Sequence, residues 1–101
     1  MSIPIESLAA DIHAWANEVF PDRTDASMFL KLYGEINELI EAGDNIDEVA
    51  DEIADLFILL LDYAYRKGMT WVTQAILKKM RENRKRTWLI TTTGVMQHAK
   101  K

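Results

Sequence analysis

The chain has no cysteine among its 101 residues. Disulfides and thiolate metal centres are therefore excluded, and any metal must be held by oxygen or imidazole. Proline and glycine are scarce, with two and four residues, so little interrupts helices. Long apolar runs are missing too. The longest, Leu56 to Leu61, is far below the roughly 20 residues that span a bilayer, and Met1-Ser2-Ile3-Pro4-Ile5-Glu6 lacks the basic flank and apolar stretch of a signal peptide. These absences predict a cytoplasmic protein with no membrane partner. What remains is 49% hydrophobic and 28% charged, a globular balance. A chain this short predicts one domain over residues 1–101, small enough that association with copies of itself adds stability.

Period and punctuation predict four helices. The first runs from about Ile5 to Phe20, with Leu8, Ile12, Trp15, Ala16 and Val19 as its apolar stripe and Pro21 as its end. The second opens at Thr24 or Asp25 and runs to Ala42 before Gly43, with Met28, Phe29, Leu32, Ile36, Leu39 and Ile40 on its apolar face. The third follows Gly43-Asp44-Asn45 and continues to Lys67, where Gly68 stops it; the fourth runs from Trp71 to Arg86 with Thr70 as N-cap. Residues 91–101 are expected to form a β-prone or irregular tail, loosely held after Met96. In the third helix, Ile46, Val49, Leu56, Phe57, Leu60 and Ala64 lie within about 60° of Ile53 at 100° per residue. From Leu56 onward that helix is apolar nearly all round, which predicts burial on more than one side, the second side against another subunit.

Charge is segregated. The net charge is −4, yet six of the twelve cationic residues fall between Lys78 and Arg86, and nine of the sixteen acidic ones between Glu35 and Asp55. Within the acidic segment, Glu35 and Glu38 pair at three-residue spacing, as do Glu52 and Asp55. The two pairs are symmetric about Asn45, so a helical hairpin reversing there sets Glu38 level with Glu52 and Glu35 level with Asp55. Spacing alone is what a solvated acidic face produces, because Glu38 and Glu41, or Glu48 and Asp51, also qualify. Facing is more selective. Lys31, Glu35 and Glu38 project to one flank of the apolar stripe, while Glu41 points away from it. On the third helix Glu48, Glu52, Asp55 and Leu59 form one column that changes from acid to leucine as the helix becomes buried. Like charges one turn apart cost only about 0.2–0.5 kcal/mol on an exposed helix; four carboxylates meeting in a half-buried groove cost several times more. A hard divalent cation resolves that conflict. Oxygen ligands on rigid helices favour Mg²⁺, with Mn²⁺ an alternative, over Ca²⁺, which prefers flexible carbonyl-rich loops.

The pattern Glu35-Ile36-Asn37-Glu38, thirteen residues, then Glu52-Ile53-Ala54-Asp55 resembles the MazG-type nucleoside triphosphate pyrophosphohydrolases. Lys31-Leu32 before the first pair, Leu56-Phe57 after the second, and Lys79-Met80-x-x-Asn83-x-x-Arg86 extend the likeness over residues 25 to 88, the expected catalytic core. Gly34 departs from it, since members often carry another acid there. The resemblance implies an all-α, four-helix MazG-like bundle in which helical hairpins complete the core across an oligomer interface, as a dimer or a tetramer. It also implies hydrolysis of a nucleoside triphosphate to monophosphate and pyrophosphate, with Glu35, Glu38, Glu52 and Asp55 binding one or two Mg²⁺ ions and a house-cleaning role.

Further roles follow from chemistry. A carboxylate not fully engaged by metal can take the proton of the attacking water, and Glu38 is the candidate. Lys79, Asn83 and Arg86 share one helix face at i, i+4 and i+7 and are candidates for the outer phosphates, with Lys31 as a fourth or as a partner of Glu35. Trp15, Phe20 and Phe29 are candidate walls for the base, and His13 and Asn17 its candidate hydrogen-bonding groups. Two competing readings remain open: a small helical nucleic-acid-binding protein using residues 78–86, opposed by the acidic hairpin, and an oligomerisation module whose acids are only solvated.

Overall fold

The computed structural model describes residues 3–98, His98 by its backbone alone. Four helices form: α1 (Ile5–Val19), α2 (Asp25–Ala42), α3 (Ile46–Arg66) and α4 (Val72–Lys85), followed by short strands β1 (Trp88–Ile90) and β2 (Met96–His98). The fold is all-α apart from that terminal ribbon, and it divides between Thr70 and Trp71 into two compact units.

In the first unit, α3 packs against both α1 and α2. Asp25 at the start of α2 meets Lys67 just past the end of α3 at 2.6 Å, so α2 and α3 run antiparallel. Local chemistry sets their ends. Thr24 Oγ1 accepts from the Ser27 amide at 3.1 Å while the Thr24 amide donates to Ser27 Oγ at 2.9 Å, a reciprocal cap that starts α2. Gly43 closes α2 at φ 57°, a conformation glycine adopts without a Cβ clash. Asn45 Oδ1 then accepts from the Glu48 amide at 3.2 Å and opens α3. Three residues thus reverse the chain.

The buried apolar set is Ala9, Ala16, Met28, Ala42, Leu61 and Ala64. Four of the six are alanines, which lets the helices approach closely while larger side chains line the edges of the seams. The expected stripes are therefore only partly covered within one chain. Leu8, Trp15 and Val19 on α1, Phe29, Ile36 and Ile40 on α2, and Ile46, Ile53, Phe57 and Leu60 on α3 remain exposed. Part of the two-sided burial predicted for α3 arises within the chain. Asp62, nine residues and so about 180° from Ile53, is buried against α1 and the α1–α2 loop of the same chain. The Ile53 face is the uncovered one.

In the second unit, α4 begins after Trp71, which provides no side-chain cap, so the expected Thr70 cap is absent. Arg86 is its C-cap in extended conformation. The segment expected to be β-prone or irregular contributes β2 to an antiparallel hairpin with β1, Leu89 opposite Gln97 and Ile90 opposite Met96. Its turn is held by Thr91 N to Val95 O at 2.8 Å and Val95 N to Thr91 Oγ1 at 3.1 Å, with Gly94 at φ 83°. Of the loose hold expected after Met96, the part on residues 99–101 lies outside the described residues.

Candidate metal centre

The hairpin register brings Glu35 from α2 against Glu52 and Asp55 from α3, with one carboxylate oxygen of each lying within 4.8 Å of the others. Glu35 is buried at 4% exposure, although sequence facing placed it on a half-buried flank. Glu52 is half-buried and Asp55 exposed, so the trio opens from the α2–α3 seam to solvent. Glu38 is exposed and outside the trio, yet its carboxylate is close enough to act on both Glu35 and Glu52.

Electrostatics separates the members. Lys31 Nζ lies 2.9 Å from Glu35 Oε1. That bond, then proximity to Glu52, draws Glu35 below the usual carboxylate range despite its burial, and raises the Lys31 ammonium in turn. Glu52 moves the other way, to about 7, because a proton on it can bridge to Glu35, with burial and the Glu38 charge adding to the effect. Burial, then the Glu35 charge, raises Asp55. Glu35 Oε2 and Glu52 Oε2 are both buried with no donor reaching them. A buried carboxylate oxygen without a partner is strongly disfavoured. Neighbouring acids can share a proton, or a divalent cation can answer all of them at once, and an all-oxygen donor set suits Mg²⁺ or Mn²⁺. The residues fit a metal.

The other candidates fall in separate places. His13 and Asn17 join a polar knot: His13 Nδ1 is 3.0 Å from Asp62 Oδ1, and Asn17 Nδ2 is 3.1 Å from His13 Nε2. Arg23 completes it, donating from Nε to Asp62 Oδ2 at 2.7 Å and from Nη2 to Oδ1 at 2.9 Å. Burial pushes Asp62 up, but the bonds from Arg23 and His13 more than offset this and hold it below its ordinary range. Sequence reasoning missed both Asp62 and Arg23. A single acid in the apolar run Leu59-Leu60-Leu61-Asp62 was the available signal, since a buried charge demands partners. Trp15 meets Phe20 edge-on at 5.9 Å and lines a cavity of about 290 Å³ with Asp11, Ile12 and Ile58. Phe29 packs on Tyr63 at 5.3 Å.

Lys79, Asn83 and Arg86 belong to the second unit. Lys79 is exposed and lies 3.8 Å from Glu82. Both residues help line a groove of about 470 Å³ with Trp71, Gln74, Ala75 and Lys78. The Asn83 carbonyl accepts from Trp88 Nε1 at 2.8 Å, while Asn83 Oδ1 is buried without a partner.

A helical hairpin with carboxylates converging across it on an all-α scaffold offers an all-oxygen donor set of the kind a divalent cation takes. Comparison with known proteins narrows the class. No family model matches the chain. It is 39% identical over 98 residues, 97% of its length, to a dATP/dGTP diphosphohydrolase of cyanophage S-2L, covering 90% of that protein. It is 41% identical over 87 residues to a dATP/dGTP diphosphohydrolase of Salmonella phage PMBT28, of which it spans 29%. Among solved structures, the cyanophage S-2L MazG-like pyrophosphohydrolase, bound to dGDP and three catalytic Mn²⁺ ions per active site, superposes with a TM-score of 0.82 at 36% identity, over 98% of this chain and all of that one. The chain belongs to the MazG-type nucleotide pyrophosphohydrolases, a family of enzymes that hydrolyse phosphoric anhydrides. Among the described residues, no helix is long and apolar enough to cross a membrane.

Proposed function

We propose that this protein hydrolyses deoxynucleoside triphosphates between the α and β phosphates, releasing monophosphate and pyrophosphate, with Mg²⁺ as cofactor and Mn²⁺ able to replace it. The observation that carries this reading is the pair of buried, unanswered oxygens on Glu35 and Glu52, beside Asp55, in a chain of this family. The relatives named for dATP and dGTP make purine deoxynucleotides the substrates to test first.

Glu35, Glu52 and Asp55, with Glu38 at the rim, would hold the cation. Once bound there, it supplies neutralisation of the phosphate oxygens and a water acidic enough to attack near neutral pH. Glu38 takes the proton of that water. As the water oxygen bonds to the α-phosphorus, the bond from the α-phosphorus to the bridging oxygen breaks, and pyrophosphate leaves with its electron pair. Lys31, Lys79, Asn83 and Arg86 are assigned to the phosphates. Trp15, Phe20 and Phe29 are assigned to the walls around the base, and His13 with Asn17 to its polar edge. The exposed Ile46, Ile53, Phe57 and Leu60 face supports a homo-oligomer, since a patch of that kind on a small helical chain favours burial against a second copy. A cytoplasmic house-cleaning role completes the proposal.

The test is to incubate the protein with each deoxynucleoside triphosphate and Mg²⁺ or Mn²⁺ and to resolve the products. Monophosphate and pyrophosphate in equal amounts are expected. Release of inorganic phosphate, or no turnover of any nucleotide with either metal, overturns the reading.

A further inference from the structure

Lys31 reaches the acidic trio from solvent. Its side chain is 65% exposed, whereas that of Glu35, 2.9 Å away, is 5% exposed. Among the ion pairs of the described residues, it is the one that touches the trio; the other cations of the first unit serve Asp62 or Asp25. One ammonium therefore answers Glu35 Oε1 and leaves Glu35 Oε2 and Glu52 Oε2 without donors. A metal held by Glu35 would stand about 2.1 Å from its oxygen. A dication on the unanswered Glu35 Oε2 would draw on the charge that holds the ammonium at Oε1 and repel the ammonium from a few ångströms away. The lysine has somewhere to go, because its exposed stem can rotate into solvent without unpacking anything.

We propose that Lys31 is a placeholder cation that changes partners. In the metal-free protein it neutralises Glu35; when a divalent cation takes that carboxylate, the ammonium is released and binds a phosphate of the incoming nucleotide. Metal loading then precedes nucleotide binding and prepares it. The inference rests on the trio being the metal seat, and it adds to that reading a coupling between two binding events.

Three proteins test it: wild type, Lys31→Met and Lys31→Arg. Mn²⁺ binding is measured by calorimetry, and each Mn²⁺-loaded protein is then titrated with the non-hydrolysable α,β-methylene analogue of dGTP. Lys31→Met should bind Mn²⁺ about fivefold more tightly, the scale of one released ion pair. It should bind the analogue about tenfold more weakly, the scale of one charge-assisted hydrogen bond. Lys31→Arg, which keeps the charge, should restore both values toward wild type. Opposite shifts in one variant are the signature of exchange. Tighter metal with unchanged nucleotide would reduce Lys31 to a partner of Glu35, and weaker nucleotide with unchanged metal would make it only a phosphate ligand; either result overturns the proposal. Absence of Mn²⁺ binding by the wild type overturns the metal seat itself, and it is seen before any variant is compared.

Discussion

Glu35 and Asp62 are equally buried, each 4% exposed, and their surroundings could hardly differ more. Asp62 sits in a finished network, with Arg23 on both oxygens and His13 on one. Glu35 has Lys31 on one oxygen and nothing on the other, with two further acids beside it. Burial alone does not distinguish an acid that holds a fold together from one kept for chemistry. The completeness of its hydrogen bonding does. Asp62 ties α1 and the α1–α2 loop to α3, whereas Glu35 keeps one oxygen unanswered beside two further acids.

The contrast can be broken experimentally at either end. Asp62→Ala strips the partner from a buried guanidinium and should lower unfolding stability by about 3–5 kcal/mol; chemical denaturation measures it, and a loss under about 1 kcal/mol would mean the knot is not structural. At the other end, Asp55→Asn should cut turnover about a hundredfold or more if Asp55 is the direct ligand proposed above, since even outer-shell metal partners are worth tenfold to a hundredfold. Its melting temperature without metal should hold or rise.

Acidity gives a subtler division. Glu52 is raised to about 7, so the folded protein binds a proton there more tightly than the unfolded chain does. The stabilisation is complete below the ordinary glutamate range and is lost as pH rises through about 7. Metal-free melting temperature should therefore carry a component that falls from about pH 4.5 to about pH 7 and is flat above it. Glu52→Gln, which mimics the protonated form, should flatten it, and an unchanged profile in that variant would refute the assignment. Asp62 is shifted downward, so its contribution is present above the ordinary aspartate range and is lost only as acid titrates the knot. The smallest change is expected from Asn45→Ala. Loss of the α3 cap should lower stability by about 1 kcal/mol and leave intact any rise in melting temperature that Mn²⁺ produces, because the Asn45 side chain caps the Glu48 amide and none of its hydrogen bonds reaches Glu35, Glu52 or Asp55.

Much of this was legible in the sequence. The turn residues Thr24, Gly43, Asn45 and Gly68 placed the helix ends, and symmetry about Asn45 pointed to Glu35, Glu52 and Asp55, which meet, and to Glu38, which lies outside the trio; both signals are local in the chain. The partners of Asp62 were not legible, since Arg23 and His13 lie 39 and 49 positions away and only packing joins them. Sequence periodicity placed Ala16, Met28 and Ala64 of the buried set on its stripes and missed Ala9, Ala42 and Leu61. It weights large apolar residues, whereas the seams are made by Ala9, Ala16, Ala42 and Ala64, and the large residues around Ile53 are left for a surface that one chain does not cover. The tail was legible only as β-prone or irregular, because its strands are three residues each, too short for alternation to declare the pairing.

The reversal at Gly43–Asn45 has a consequence for how such a site can vary. Glu35 and Asp55 meet because each stands ten positions from Asn45, so the site depends on counting as much as on residue type. Substitutions in the turn leave the count untouched. A single residue inserted between Glu38 and Gly43 without a compensating deletion would carry Glu35 about 100° around α2 and 1.5 Å along it. Every acid would be retained and the cluster lost. The hairpin behaves as a ruler, and length between the two pairs is the quantity it measures.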